Sequence, residues 1–196
     1  ALLADAPIAC IVLTHGHPDH SAGARRLHEM TGASVRSLDP QHRQGLEGLA
    51  DGDVLVVGDL EIRILETPGH SSDSVCLFLP AEGTLLTGDS VLGRGTAVIA
   101  WPDGDLRAYL HSLERLRVMS EVRQLLPGHG PMLGNPGEVI AAYLEHRAIR
   151  LDEVRNALAN GCLTAEDIVD VVYADVDPAL RPAALQSVQA QLAYLE

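Results

Sequence analysis

The segment Thr14-His15-Gly16-His17-Pro18-Asp19-His20 places four potential metal ligands within six residues, directly after an apolar run. Three more donors stand in tight turns: His70 in Thr67-Pro68-Gly69-His70, Asp89 in Thr87-Gly88-Asp89-Ser90, and His129 in Pro127-Gly128-His129-Gly130. Imidazole nitrogen and carboxylate oxygen suit divalent cations of borderline softness. Seven such donors on separate loops are enough for two ions with positions left for water and substrate. His15 and His17 alternate along an extended backbone and point to one side, which predicts a first ion. Pro18 turns the chain, leaving Asp19 and His20 for a second. His70 completes the first site, His129 the second, and the Asp89 carboxylate bridges them. A lone surface histidine would carry no such reading; five of the nine histidines, set in four turns at strand ends, do.

The elements around these donors are legible from periodicity. Ile8 to Leu13 reads as a buried strand running into the His-rich loop. Ser21 to Met30 carries Ala24, Leu27 and Met30 on one helical face and stops at Gly32. Val35 starts a short strand closed by Asp39-Pro40. Val54–Val57 and Leu60–Leu65 form a hairpin across Gly58-Asp59, a sequence compatible with a type I′ turn. Val75–Leu79 and Leu85-Leu86 repeat the design across Glu82-Gly83. Leu106, Leu110, Leu113 and Leu116 mark an amphipathic helix, and Val122 to Leu126 a returning strand. Composition changes near Asn135-Pro136-Gly137-Glu138, an N-cap with Pro at the first helical position and a capping Glu. The helix that follows carries Ile140, Leu144, Leu151, Val154 and Leu158 on its apolar side and ends at Asn160-Gly161. Thr164 with Asp167 caps the next helix, stapled by Leu163 and Ile168. Leu185, Val188, Leu192 and Leu195 define a last one. No strand is expected beyond Glu138, so the chain divides into 1–137, bearing the donors, and a helical appendage, 138–196.

Bulk composition narrows the function classes. The chain has 196 residues, a net charge of −13, and 14 basic residues, every one Arg. Without Lys there is no Schiff-base chemistry. Without a basic stripe, strong nucleic-acid binding is not expected. No segment is long and apolar enough to cross a bilayer. Cys10, Cys76 and Cys162 form no C-x-x-C pair, and the N-terminus lacks a signal-peptide pattern, which together predict free thiols and a cytoplasmic setting.

The motifs H-x-H-x-D-H (His15 to His20), P-G-H (His70), G-D (Asp89) and P-G-H-G (His129) resemble, in order and rough spacing, those of the metallo-β-lactamase fold superfamily. The resemblance implies an α/β fold, the αβ/βα sandwich, with a dinuclear site at one edge of its two sheets. It assigns metal ligation to His15, His17, Asp19, His20, His70, Asp89 and His129. Tyr143 through Ala193, and Gly88 to Gly93, look like the beta-lactamase-like protein 2 group with its winged-helix-like end. Members usually carry several strands before the first motif; only Ala1 to Leu13 precede it here, so the resemblance implies N-terminal strands missing from this sequence. Several true β-lactamases place Cys near the position of Asp89. Asp there disfavours antibiotic hydrolysis.

The expected activity is that of a metal-dependent hydrolase. Two cations, Zn²⁺ by preference with Mn²⁺ or Fe²⁺ as alternatives, lie about 3.5–4 Å apart and share a hydroxide nucleophile. With Asp19, Asp89 and hydroxide, the site keeps a formal charge of about +1. Asp19 and Asp89 are thus the expected catalytic carboxylates, although a ligating Asp19 is a poor proton donor. Substrates are a small-molecule ester or thioester, or a phosphodiester such as a short oligonucleotide. Alternatives are a single-stranded RNA endonuclease or a nonheme-iron sulfur dioxygenase on the same fold. Arg94 is the candidate clamp for an anionic substrate group, His146 a second substrate contact from the long helix, and Ser71 or Asp73 the support for an imidazole N–H. The helical tail is expected to serve packing or a homodimer.

Overall fold

The computed structural model describes residues 7–99 and 101–196. Strand β1 (Cys10–Val12) pairs in parallel with β2 (Ser34–Arg36), and the short helices α1 (Pro18–Ser21) and α2 (Ala24–Thr31) connect them. A six-stranded sheet follows in chain order: β3 (Val54–Val57), β4 (Leu60–Glu66), β5 (Val75–Leu79), β6 (Thr84–Gly88), β7 (Gln124–Pro127) and β8 (Leu133–Gly134). Neighbours are antiparallel except β6 and β7, which are parallel because α3 (Leu106–Arg117) forms the crossover between them, as a parallel pair requires. Helices α4 (Pro136–Ala159), α5 (Ala165–Val172) and α6 (Arg181–Leu195) complete the chain.

Strand β5 shows why the sheet is buried on both faces. Its alternate residues Cys76 and Phe78 pack with Leu85, Leu125 and α3 residues Leu106, Tyr109, Leu113 and Leu116. Val75 and Leu77 face the other way, onto Leu49, Leu55 and Ile64 with Val12 and Leu38 against them. Period-two alternation within an all-apolar strand thus feeds two cores. Helix α4 is likewise shared. Ile140, Tyr143 and Leu151 belong to the core under α3, whereas Val154 and Ala157 join Ile168, Val169 and Val188 of the last two helices. Cys10, Cys76 and Cys162 are free thiols, and burial pushes that of Cys76 up to about 11.

Several local expectations need correction. Met30 is 72 % exposed and lies off the buried face of α2, whose packed residues are Ala24 and Leu27. Gly58 alone in its turn has a positive φ, whereas type I′ needs two. Asn135 adopts a left-handed conformation and makes no side-chain cap; its amide instead donates to Glu138. Leu158 is exposed and Ala157 takes the buried place. The Thr164–Asp167 capping box forms in both directions, but Leu163 is 88 % exposed and staples nothing. Strand β8 was not expected.

Candidate metal centre

Each donor loop starts at a strand end: His15 after β1, His70 after β4, Asp89 after β6 and His129 after β7. The first loop is pinned from both sides. Thr14 accepts from the Val75 backbone at 2.8 Å, and the Ser21 hydroxyl donates to the carbonyls of Gly16 and His17 at 2.9 and 3.0 Å. Gly69, at φ +136°, lets the His70 turn lie against α3, where the Asp105 N–H donates to its carbonyl at 3.0 Å. Gly88 accepts from Gly128 at 2.8 Å, tying the Asp89 turn to the His129 turn.

Seven side chains converge. His17 Nδ1 lies 3.0 Å from His15 Nε2 and 3.0 Å from His70 Nε2. His20 Nε2 is 3.1 Å from His129 Nε2, 3.4 Å from Asp89 Oδ1 and 3.6 Å from Asp19 Oδ2. The Asp89 carboxylate reaches His70 at 3.8 Å and His129 at 3.6 Å, and Asp19 reaches His129 at 3.1 Å. Three groups of donors each fall within 4.8 Å of one another: His15, His17 and His70; His15, His20 and Asp89; Asp19, His20 and His129. His15 groups with His17 and Asp19 with His20, but His15 also groups with His20 and Asp89, so the three clusters overlap across the expected division.

The donor chemistry fits cations. The His70 Nδ1–H donates to the Val98 carbonyl at 2.6 Å, which leaves its Nε2 bare in the neutral ring. His17 has one proton at most to offer at Nδ1, yet two ring nitrogens stand 3.0 Å from it. Ligands of a tetrahedral ion with bonds of about 2.0–2.1 Å sit roughly 3.3 Å apart, close to these spacings. Asp89 Oδ1 is buried with no hydrogen-bond partner, a cost that a cation removes.

Electrostatics point the same way. His15 is 1 % exposed. Burial, then the neighbouring imidazoles of His20, His70 and His17, lowers its pKa to about 3, so protons compete poorly for that ring. Burial also lowers His70, against the opposing pull of the Val98 carbonyl and Asp89. Burial alone would raise the Asp19 carboxyl, but its own backbone N–H together with His20 and His129 holds it below the ordinary carboxylate range.

Ser71 and Asp73 do not support the imidazole. The Ser71 hydroxyl donates to Asp73 at 2.8 Å, and Val98 takes the role expected of them. Arg94 is exposed on the loop that packs against Gly130; among the described residues its side chain makes no hydrogen bond or ion pair. His146 stands apart from the three donor groups, in a cleft that Val98 also lines.

Sequence reasoning missed the residues that grip the loop after Asp89. The Tyr109 hydroxyl donates to the Ser90 carbonyl at 2.7 Å. The Tyr143 hydroxyl accepts from the Leu92 N–H at 2.8 Å and donates to the Gly95 carbonyl at 2.9 Å. Arg147 donates to the Ala97 carbonyl while its guanidinium lies over the Tyr109 ring. One signal was readable: Arg147 interrupts the apolar stripe Tyr143, Leu151, Val154 of α4. Tyr143→Phe strands the Leu92 N–H and should cost about 1–3 kcal/mol, measured by chemical denaturation of metal-free protein. Unchanged stability would remove this residue from the grip. Gly128→Ala would place a methyl 2.7 Å from His20 Cε1 and 2.8 Å from Asp89 Oδ1. Its expected effect is a metal affinity lower by at least about tenfold, read by competition with a chromogenic chelator.

The αβ/βα layers and the donor cluster at their edge define the class, and the comparisons agree. Residues 2–129 match the metallo-beta-lactamase superfamily and residues 164–196 the beta-lactamase associated winged helix domain. The chain belongs to the metallo-β-lactamase superfamily, with that winged-helix region at its C-terminal end. It is 33 % identical to a beta-lactamase-like protein 2 homolog of Caenorhabditis elegans, over 96 % of this chain and 65 % of the relative. It is 30 % identical to an atrochrysone carboxyl ACP thioesterase of Aspergillus fumigatus, over 85 % of this chain and 56 % of that one. The crystal structure of a beta-lactamase domain protein from Burkholderia ambifaria superposes with a TM-score of 0.85 at 26 % identity, covering 96 % of this chain and 70 % of that one. The chain therefore spans less than two thirds of the worm and fungal proteins.

Proposed function

We propose that the protein is a metal-dependent hydrolase that holds two divalent cations and cleaves a thioester or related ester. The observation that carries the reading is the Asp89 carboxylate: its buried Oδ1 has no hydrogen-bond partner among the described residues and lies 3.4 Å from His20, while its Oδ2 faces His129 at 3.6 Å and His70 at 3.8 Å. His15, His17 and His70 would hold one cation, and Asp19, His20 and His129 the other, with Asp89 between them. Zn²⁺ suits this nitrogen-rich set, and Mn²⁺ or Fe²⁺ are alternatives.

Once bound, such cations lower the pKa of a water toward about 7 and polarise the scissile carbonyl. The chain's own residues do the rest. The His70 Nδ1–H bond to Val98 fixes that ring's orientation and tautomer. Asp89, followed by the gripped 90–97 loop, stands between the two histidine groups. Asp19, with its carboxyl held low, stays ionised and makes a poor acid. Arg94, on the exposed rim, would meet an anionic part of the substrate.

Support for a thioester comes from the Aspergillus relative named as an ACP thioesterase. An ester and a phosphodiester belong in the same assay because His/Asp dinuclear sites act on all three. The test is a chromogenic panel of thioester, ester, phosphodiester and cephalosporin with Zn²⁺ or Mn²⁺ supplied. We expect the thioester to turn over fastest and the β-lactam not to be hydrolysed. Loaded protein that turns over none of the first three would overturn the reading. We keep as proposals the division at 137/138, a cytoplasmic setting matching the three free thiols, and a packing or homodimer role for the tail. Among the described residues no helix is long and apolar enough to cross a membrane.

A further inference from the structure

An open cleft of about 330 Å³ lies where α4 and α6 meet the 96–98 segment; Thr96, Val98, His146, Arg147, Arg150 and Ser187 are among its lining residues. Among the described residues no lining residue carries a carboxylate, in a chain whose net charge is −13. Buried charges are normally neutralised by a partner, and here one is not. Arg147 is 3 % exposed and forms no ion pair among the described residues. One of its amino groups donates to the Ala97 carbonyl, but its Nε is buried without a partner. His146 Nδ1 is buried and unpartnered too. Arg150 leans over the Tyr173 ring and pairs with Glu153 at 2.7 Å, leaving part of its donor fork unused. Thr96 and Ser187 add hydroxyl groups to the lining, and Leu180, Ala183 and Ala184 add apolar residues.

We propose that this cleft binds a small phosphate monoester, its phosphate held by Arg150 and His146 and its organic body against the apolar lining residues Leu180, Ala183 and Ala184. Phosphate fits because guanidinium, imidazole and hydroxyl donors from more than one element line the same cleft, where a planar carboxylate would use fewer of them. The field of the buried Arg147 adds to the attraction without direct contact. Val98 connects the cleft to the metal centre: it is among the lining residues, and its carbonyl accepts the His70 Nδ1–H. The proposal does not depend on hydrolase activity.

The test titrates the metal-free 196-residue chain with phenyl phosphate and with inorganic phosphate, by calorimetry and by the His146 ring signals in NMR. Metal-free protein removes the cations as a competing phosphate site. Saturable binding of phenyl phosphate is expected, with a His146 shift and an affinity lower by about tenfold or more in Arg150→Gln. His146→Gln should weaken it as well, and circular dichroism checks that both variants keep the fold. If inorganic phosphate binds as tightly as the monoester, the phosphate site stands and its source is free phosphate. Absence of saturable binding of either compound, or an Arg150→Gln affinity within about twofold of the parent, would overturn the proposal.

Discussion

Asp89→Asn should lower turnover on the order of 10²–10³-fold and reduce the bound cations from two to about one. The substitution keeps shape and removes charge, so it tests the role of the carboxylate and not of its volume. Asp89 sits 3.4–3.8 Å from nitrogens of His20, His70 and His129, and one of its oxygens has no other partner. An amide oxygen is a weaker ligand, and an amide NH₂ turned toward three imidazoles repels a cation. A crossing of stabilities is expected at pH 8. Metal-free Asp89→Asn should match or exceed metal-free parent, because an uncompensated buried charge has gone. With metal the parent should be the more stable, since binding energy adds to folding energy. Plasma emission spectroscopy gives the metal count and calorimetric scans give the stabilities. Two ions and full activity in the variant would remove Asp89 from the site.

Gly69→Ala is the second large effect. Gly69 has φ +136°, and a methyl there would lie 2.3 Å from Tyr109 Cα and 2.4 Å from its backbone nitrogen. Helix backbone cannot turn aside as a flexible side chain can. The His70 turn must therefore lift away from α3, breaking the Asp105-to-Gly69 hydrogen bond and moving His70 from His17. Destabilisation of about 3 kcal/mol or more and loss of the first metal are expected. Gly137→Ala, at the start of α4 with nothing within 4 Å of the added methyl, is the control and should be neutral or slightly stabilising. Equal behaviour of the two variants in a urea titration would refute the argument.

The donors could be read from sequence because each stands in a punctuated turn right after an apolar strand, and strand ends are where rigid elements hold loops. The expected pairing rested on alternation over three residues, a purely local rule, whereas His15 also lies within reach of His20 and Asp89. What failed was non-local. The support of His70 lies 28 positions away at Val98, so nearby Ser71 and Asp73 looked better placed than they are. Tyr143 and Arg147 reach loop residues some 50 positions earlier, a distance no periodicity encodes. Met30 and Leu163 show the limit of apolar patterning: both fit a stripe, yet none of the described residues covers them. Strand β8, two residues long, falls below any pattern's reach.

Helix α4 spans 24 residues, about 36 Å of nearly rigid rod. Its first half carries Tyr143 and Arg147 into the loop behind Asp89, and its far half is clamped between α5 and α6. One helix thus joins the packing of the tail to the loop that follows Asp89, and a change in how the tail packs would be felt at that loop first. Swapping that tail between relatives would transplant a tuning element along with a lobe.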